Sequence, residues 1–131
     1  MSSQTNVYEI YYQPESHCVV MDWDGYATSR EFREGTELML RILVEHKAGK
    51  VLADARDMVL IGMEDQKWLH EDFIPRATDA GFRACAIISS VSYFNNVALQ
   101  SISFKANREK LVINIFNTAA EARSWLESLD L

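Results

Sequence analysis

A chain of 131 residues with 48% apolar and 24% charged residues has the length and composition of one globular domain with its own core. Its net charge of −6 argues against nucleic acid or an anionic membrane surface as main partner, since both attract basic patches. Apolar runs such as ACAII and LVI fall far short of the ~20 residues that span a bilayer, and MSSQTNVYEI lacks the basic and apolar regions of a signal peptide, so a cytoplasmic chain without membrane insertion is expected.

NVYEIYYQ is rich in β-formers and predicts a strand over 7–12. PES reads as a turn, and HCVVMDWDG predicts a second strand over 18–23, ended by Asp24-Gly25 and paired with the first as an antiparallel hairpin. ATSREFREGTELMLRILVEHKAGK predicts a helix. Thr28 and Glu31 stand at capping-box spacing, Phe32, Met39, Ile42, Leu43 and His46 share one face, and Gly49 is expected to close the helix in a left-handed conformation.

KVLADA predicts a third strand over 50–54, apolar up to Asp54 as a central parallel strand should be, and RDMVLIG reads as a loop. MEDQKWLHEDFIPRATDAG predicts a second helix with acidic residues in its first turn, where the helix dipole favours them. Pro75 predicts a kink or break near Phe73, and Gly81 ends the element. FRACAIIS predicts a fourth strand over 83–88. SVSYFNNVALQSISFKANR predicts a third helix, capped by Ser92, with Phe94, Val97, Ala98, Ser101 and Ile102 inward. KLVINIFN predicts a fifth strand over 111–116. In TAAEARSWLESLDL, Thr118 and Glu121 repeat the capping-box spacing ahead of a last helix with Ala122, Trp125, Leu126 and Leu129 inward. The order predicts an α/β fold in a single domain, 1–131: one five-stranded, mostly parallel sheet with an antiparallel N-terminal edge strand and four helices.

The hairpin end DWDGYATSREFREG, the strand KVLADARDM, the run EDQKWLHEDFIPRATDAGFRACAII and the ending FNTAAEARSWLESL together resemble the SpoIIAA-like, STAS-type group of small α/β proteins. The resemblance is one of layout and scattered residues over nearly the whole chain. It implies the fold, and it implies a regulatory or interaction role of the kind found among anti-sigma-factor antagonists and anion-transporter domains. One departure is informative. Antagonist members carry a phosphorylatable Ser or Thr just before the helix after the third strand, whereas LIGMEDQKW places Gly62, Met63, Glu64 and Asp65 there, with no hydroxyl. Glu64 and Asp65 supply fixed negative charge in its place, which is also ordinary chemistry for a first helical turn.

The stretch VLADARDMVLIGMEDQKWL gathers the residues with the most chemistry. In open α/β sheets ligands bind beyond the carboxyl ends of strands, which places Asp54, Ser89 and Asn117 near any such site. Asp54 is expected to accept loop N–H groups or to pair with Arg56, and Asp57 to act as a turn residue. No glycine-rich phosphate loop, GxSxG or HExxH is present, so no catalytic residue, metal or cofactor is assigned. Cys18 and Cys85 read as buried reduced thiols, His17, His46 and His70 as structural, Trp68 and Trp125 as core, and Trp23 as core or hairpin edge.

The expected function is therefore a non-enzymatic regulatory or protein-interaction module of STAS type that lacks the phosphoswitch. Its partner would be another protein or a second copy. The ligand or partner surface comprises Asp54, Arg56, Asp57, Met58, Leu60, Ile61, Met63, Glu64, Asp65, Ser89 and Ser90. DMVLIGM is too apolar for a solvated loop, so it is expected to be covered by a second chain or by its own domain. The alternative is a binder of a small apolar or lipid-like molecule, which would require a pocket of roughly 300 Å³ or more lined by Met and aromatic residues. An enzyme using Asp54, Asp57 or the Ser89-Ser90 loop ranks third.

Overall fold

The computed structural model describes residues 7–58, 61–88, 102 and 111–130. Strands β1 (Tyr8–Gln13), β2 (Cys18–Gly25), β3 (Lys50–Met58), β4 (Ala84–Ile88) and β5 (Val112–Phe116) form one sheet in that order. β1 runs antiparallel to β2, and β2 to β5 are mutually parallel. The predicted strands and their directions are therefore present, with one difference: β3 continues to Met58, four residues beyond the expected end at Asp54.

Helix α1 (Ser29–Glu45) begins with the capping box read from the sequence: Thr28 Oγ1 accepts the Glu31 N–H, and Glu31 accepts the Thr28 N–H. Its other end differs from expectation. Lys47, not Gly49, takes the left-handed conformation (φ 54°). Lys47 N–H donates to Val44 and Ala48 N–H to Leu43, the Schellman arrangement, with Ala48 and Leu43 both buried. His46 consequently leaves the inner face and stacks flat on Tyr12 at 3.8 Å. Inside α1, Gly35 meets the sheet. A Cβ there would stand 2.7 Å from Cη2 of Trp23, so the close approach of helix and sheet requires glycine despite its cost of about 1 kcal/mol in a helix interior.

Helix α2 (Met63–Trp68) passes into a π turn (Leu69–Phe73) and then α3 (Ile74–Asp79). Pro75 has no N–H for the Glu71 carbonyl and its ring crowds that carbonyl; the turn widens, and Ile74 N–H reaches back five residues to Leu69. The break expected at Phe73 is here. Gly81 (φ 118°) ends α3 in a second Schellman arrangement, with Phe82 N–H on Ala77 and Gly81 N–H on Thr78. The third predicted helix and its cap Ser92 lie outside the described residues except for Ile102, which is buried. The last helix, α4 (Ala119–Ser128), is capped as expected by Thr118 on Glu121 N–H.

The two sheet faces carry separate cores. One holds Val19, Met21, Trp23, Val51, Cys85 and Ile113 against α1, the π turn and α3. The other holds Cys18, Val20, Leu52, Ala86 and Ile88 against α4. Lys50, at the start of β3, ties down the end of α4 by donating to the carbonyls of Leu126 and Leu129 at 2.6 and 3.0 Å. Trp125 differs from expectation: it is only partly buried, leaning on Phe116 at 5.5 Å. Trp68 is likewise at the core margin, with the Arg33 guanidinium 5.1 Å above its ring. Trp23 is core, at 4% exposure. No helix among the described residues is long and apolar enough to cross a membrane.

The contrast between Phe73 and Trp125 is testable. Phe73 is 1% exposed, so Phe73→Ala is expected to cost about 3–5 kcal/mol. Trp125→Ala is expected to cost less, about 1–3 kcal/mol. Urea denaturation of the two variants measures the order.

Candidate functional site

The described residues that stood out in the sequence fall mainly into two environments, and a third environment joins them in space. The first is a bulge in β3. Asp22 pairs with Asp54 and Asp24 with Asp57, so Ala55 and Arg56 together oppose the single residue Trp23. Such a bulge interrupts the ladder locally and leaves the extra residue without its ladder bonds. Asp54 answers this directly: its Oδ1 accepts the backbone N–H of Arg56 at 3.1 Å and Nε at 3.0 Å, and its Oδ2 accepts the guanidinium at 2.7 Å. These bonds hold the Asp54 carboxyl below its ordinary value, against a smaller opposing effect of burial. Asp54 and Arg56 are a structural clamp, and Asp57 is an exposed strand residue rather than a turn residue.

The bulge resets the alternation of side chains. Val51 and Ala55 face the helix layer, and strict alternation would send Asp57 inward and Met58 to the opposite face. With one extra residue, Asp57 stays with the acidic row and Met58 turns inward, 3% exposed. Ile61 follows it into the core at 5%. The apolar segment expected as an exposed partner surface is thus covered, at Met58 and Ile61, by its own domain; Leu60 lies outside the described residues. Met63 alone of the described large apolar side chains here is exposed, at 83%.

The second environment is the start of α2. Glu64 is exposed in the first turn. Asp65 is buried and accepts Ser29 Oγ at 2.6 Å and Arg33 Nε at 3.0 Å, tying α2 to the start of α1. Its charge is spent inside the protein, so it forms no phosphate-like surface. Ser89 and Ser90 lie outside the described residues.

The third environment was not singled out by any sequence signal. Between the sheet and the helix layer is a cavity of about 100 Å³. Met21, Met39 and Met58 line it with Trp23, Phe32 and Phe73, and the inward turn of Met58 and Ile61 supplies one wall. Thr36, the only hydroxyl in the described lining, donates to the Phe32 carbonyl at 2.7 Å and is satisfied. Cys85 also lines it, its thiol pushed up to about 12 by burial, which removes it as a nucleophile. The lining has the Met and aromatic character expected of an apolar site, at about one third of the expected volume. Leu69 and Phe73, the two ends of the π turn, both border it; π turns recur at functional sites.

On the opposite face, Glu9, Asp22 and Asp54 stand side by side across three strands, with Asp24 and Asp57 beyond them. Burial, and then the charges of Asp54, Glu9, Asp24 and Asp57, raise the Asp22 carboxyl above its ordinary value. Among the described residues no group of three or more His, Cys, Asp or Glu side chains is placed to hold a metal ion.

The chain is similar to the crystal structure of an uncharacterised protein of the DUF3478 family, with a SpoIIAA-like fold, from Shewanella loihica PV-4. The TM-score is 0.60 at 17% identity, over 96% of this chain and 98% of that one. The chain has the SpoIIAA-like fold that its sequence resembles. No family model matches it, and no curated protein does.

The acidic row predicts a pH dependence. Asp22 holds its proton more tightly in the fold than in the unfolded chain, so its charged form opposes folding at neutral pH. That opposition is relieved as pH falls through its raised folded value and is gone below the ordinary Asp range. Asp22→Asn is therefore expected to raise the melting temperature at pH 7, with a gain over the parent that shrinks as pH approaches the ordinary Asp range. Thermal unfolding across pH checks it.

Proposed function

We propose that this protein is a non-enzymatic binding domain that accepts a small apolar molecule, or the apolar end of a larger one, in the cavity between sheet and helix layer. The observation that carries the reading is the lining: methionines and aromatics around about 100 Å³, with the one hydroxyl already bonded internally. By the measure of ~24 cal/mol per Å³, unfilled apolar space of this size costs up to about 2 kcal/mol, against a typical stability of roughly 5–15 kcal/mol. A ligand that fills it recovers part of that cost. The lining offers dispersion contacts and little hydrogen bonding, which favours hydrocarbon over polar molecules. Methionine side chains adapt their shape to what they hold.

The volume bounds the occupant. Apolar cavities of ~150 Å³ admit benzene or xenon, so a cavity near this size suits a group of a few carbon atoms and not a whole lipid. The other expected role, an interaction module of STAS type without a phosphoswitch, draws support from the SpoIIAA-like fold and from exposed Met63. It loses the support expected from Met58 and Ile61, which are core.

Benzene is a suitable probe. Saturating benzene is expected to raise the melting temperature of the parent by stabilising the native state. Ala55→Val, which adds volume at the cavity wall, is expected to raise the stability of the free protein by about 1 kcal/mol and to remove the benzene effect. No benzene effect on the parent, or an equal effect on both proteins, contradicts the reading.

A further inference from the structure

Among the described residues, β1 is an open edge of the sheet. Asp24 N–H donates to the Val7 carbonyl at 2.8 Å, which fixes the phase of the hairpin ladder. Val7, Glu9, Tyr11 and Gln13 point their backbone groups at β2, and Tyr8, Ile10 and Tyr12 point theirs outward. Among the described residues no strand pairs with that outer side. Edge strands usually carry lysine, proline, a bulge or very short length to prevent association. β1 has six residues, YEIYYQ, in unbroken register with β2, with no lysine and no proline. Three of the six are tyrosine, a residue enriched in protein interfaces.

We infer that β1 mediates a two-fold homodimer in which two β1 strands pair antiparallel about Ile10 and join the sheets of two copies. A second copy fits this edge because in one register the strand is complementary to itself, and the charge pattern selects that register: Glu9 is the single charge in β1, and it must be kept away from the Glu9 of the other copy. Pairing about Glu9 would set the two Glu9 carboxylates face to face. Pairing about Tyr11 would run Tyr8 into Pro14, which has no N–H to give. Pairing about Ile10 matches Ile10 with itself and Tyr8 with Tyr12 of the other copy, satisfying about six outward backbone bonds. It sets Glu9 opposite Tyr11 of the other copy at the closely spaced positions, where the phenol can donate to the carboxylate.

A strand pair alone falls short of the ~1,000 Å² expected of a specific interface. Tyr8 also lines a surface groove with Leu38, Glu34 and Arg41 of α1, which extends the contact beyond the strand. This inference stands independently of the ligand reading.

The test is sedimentation equilibrium of the parent, Tyr11→Glu and Tyr11→Lys, with circular dichroism as the check on folding. Tyr11 is 41% exposed, so both variants are expected to fold. The parent is expected to dimerise. Tyr11→Glu sets a carboxylate opposite Glu9 twice in the dimer and is expected to weaken it about tenfold or more. Tyr11→Lys sets an ammonium opposite Glu9 and is expected to keep or strengthen it. A parent that stays monomeric over its soluble range overturns the inference, and so does equal dimerisation of all three proteins. If Tyr11→Glu unfolds, Glu9→Lys replaces it: it is expected to keep the dimer, and the double variant Glu9→Lys with Tyr11→Lys to lose it; the same mass for both overturns the inference.

Discussion

The Asp54–Arg56 clamp holds the bulge that sets which way Met58, at the end of β3, faces. One extra residue in β3 converts an alternation that would expose Met58 into one that buries it. A bulge of this kind is stable only if its displaced backbone groups find partners, and the Asp54 carboxylate takes the Arg56 N–H while gripping the same residue's side chain. The charged residues that first suggest catalysis are therefore what lets a parallel strand change phase in mid-course. Met58, turned inward by that change, forms part of the cavity wall together with Ile61.

The rest of the helix layer is arranged around the same space. Gly35 lets α1 come down onto Trp23, and Asp65 joins the start of α2 to Ser29 and Arg33 of α1. Pro75 widens the turn that precedes it and leaves Leu69 and Phe73 at the margin of the cavity. Rings touch in an unbroken series from Tyr8 through Trp23, Phe32 and Trp68 to Phe73, linking β1 to the π turn. The other sheet face is simpler, with α4 packed across β3 and β4 and fastened by Lys50. An apolar void on one side and an acidic row on the other give the sheet two faces of unlike chemistry.

The parts of this arrangement legible in the sequence are those set by local rules. The strands show as runs of β-formers, the starts of α1 and α4 as Thr–Glu pairs three residues apart, and the break before Ile74 as a proline. The parts that were not legible depend on what a residue meets in space. A bulge has no signature in ADARDM, so Met58 and Ile61 read as part of a loop to be covered by a second chain or by its own domain, and only the strand register shows that they are core. Lys47 takes a left-handed conformation for which the nearby Gly49 was the obvious choice, because Ala48 and Leu43 must meet. A cavity is a property of packing, and its Met and aromatic lining comes from β2, β3, α1, the π turn and Phe82, which no spacing along the chain connects. Of the expected site, Asp54 and Arg56 were correctly read as a pair, while the role of that pair in steering Met58 appears only in the strand register.

The most direct test of this account is the methyl NMR signal of Met58 in Asp54→Ala. Met58 shares the cavity lining with Trp23 and Phe73, so in the parent its methyl group should be shifted by their rings. Loss of the clamp is expected to move that signal towards the position of an exposed methionine, while Met21 and Met39, seated on β2 and α1, keep theirs. A Met58 signal that stays at the parent position in a folded Asp54→Ala protein would contradict the claim that the clamp sets the direction of the segment.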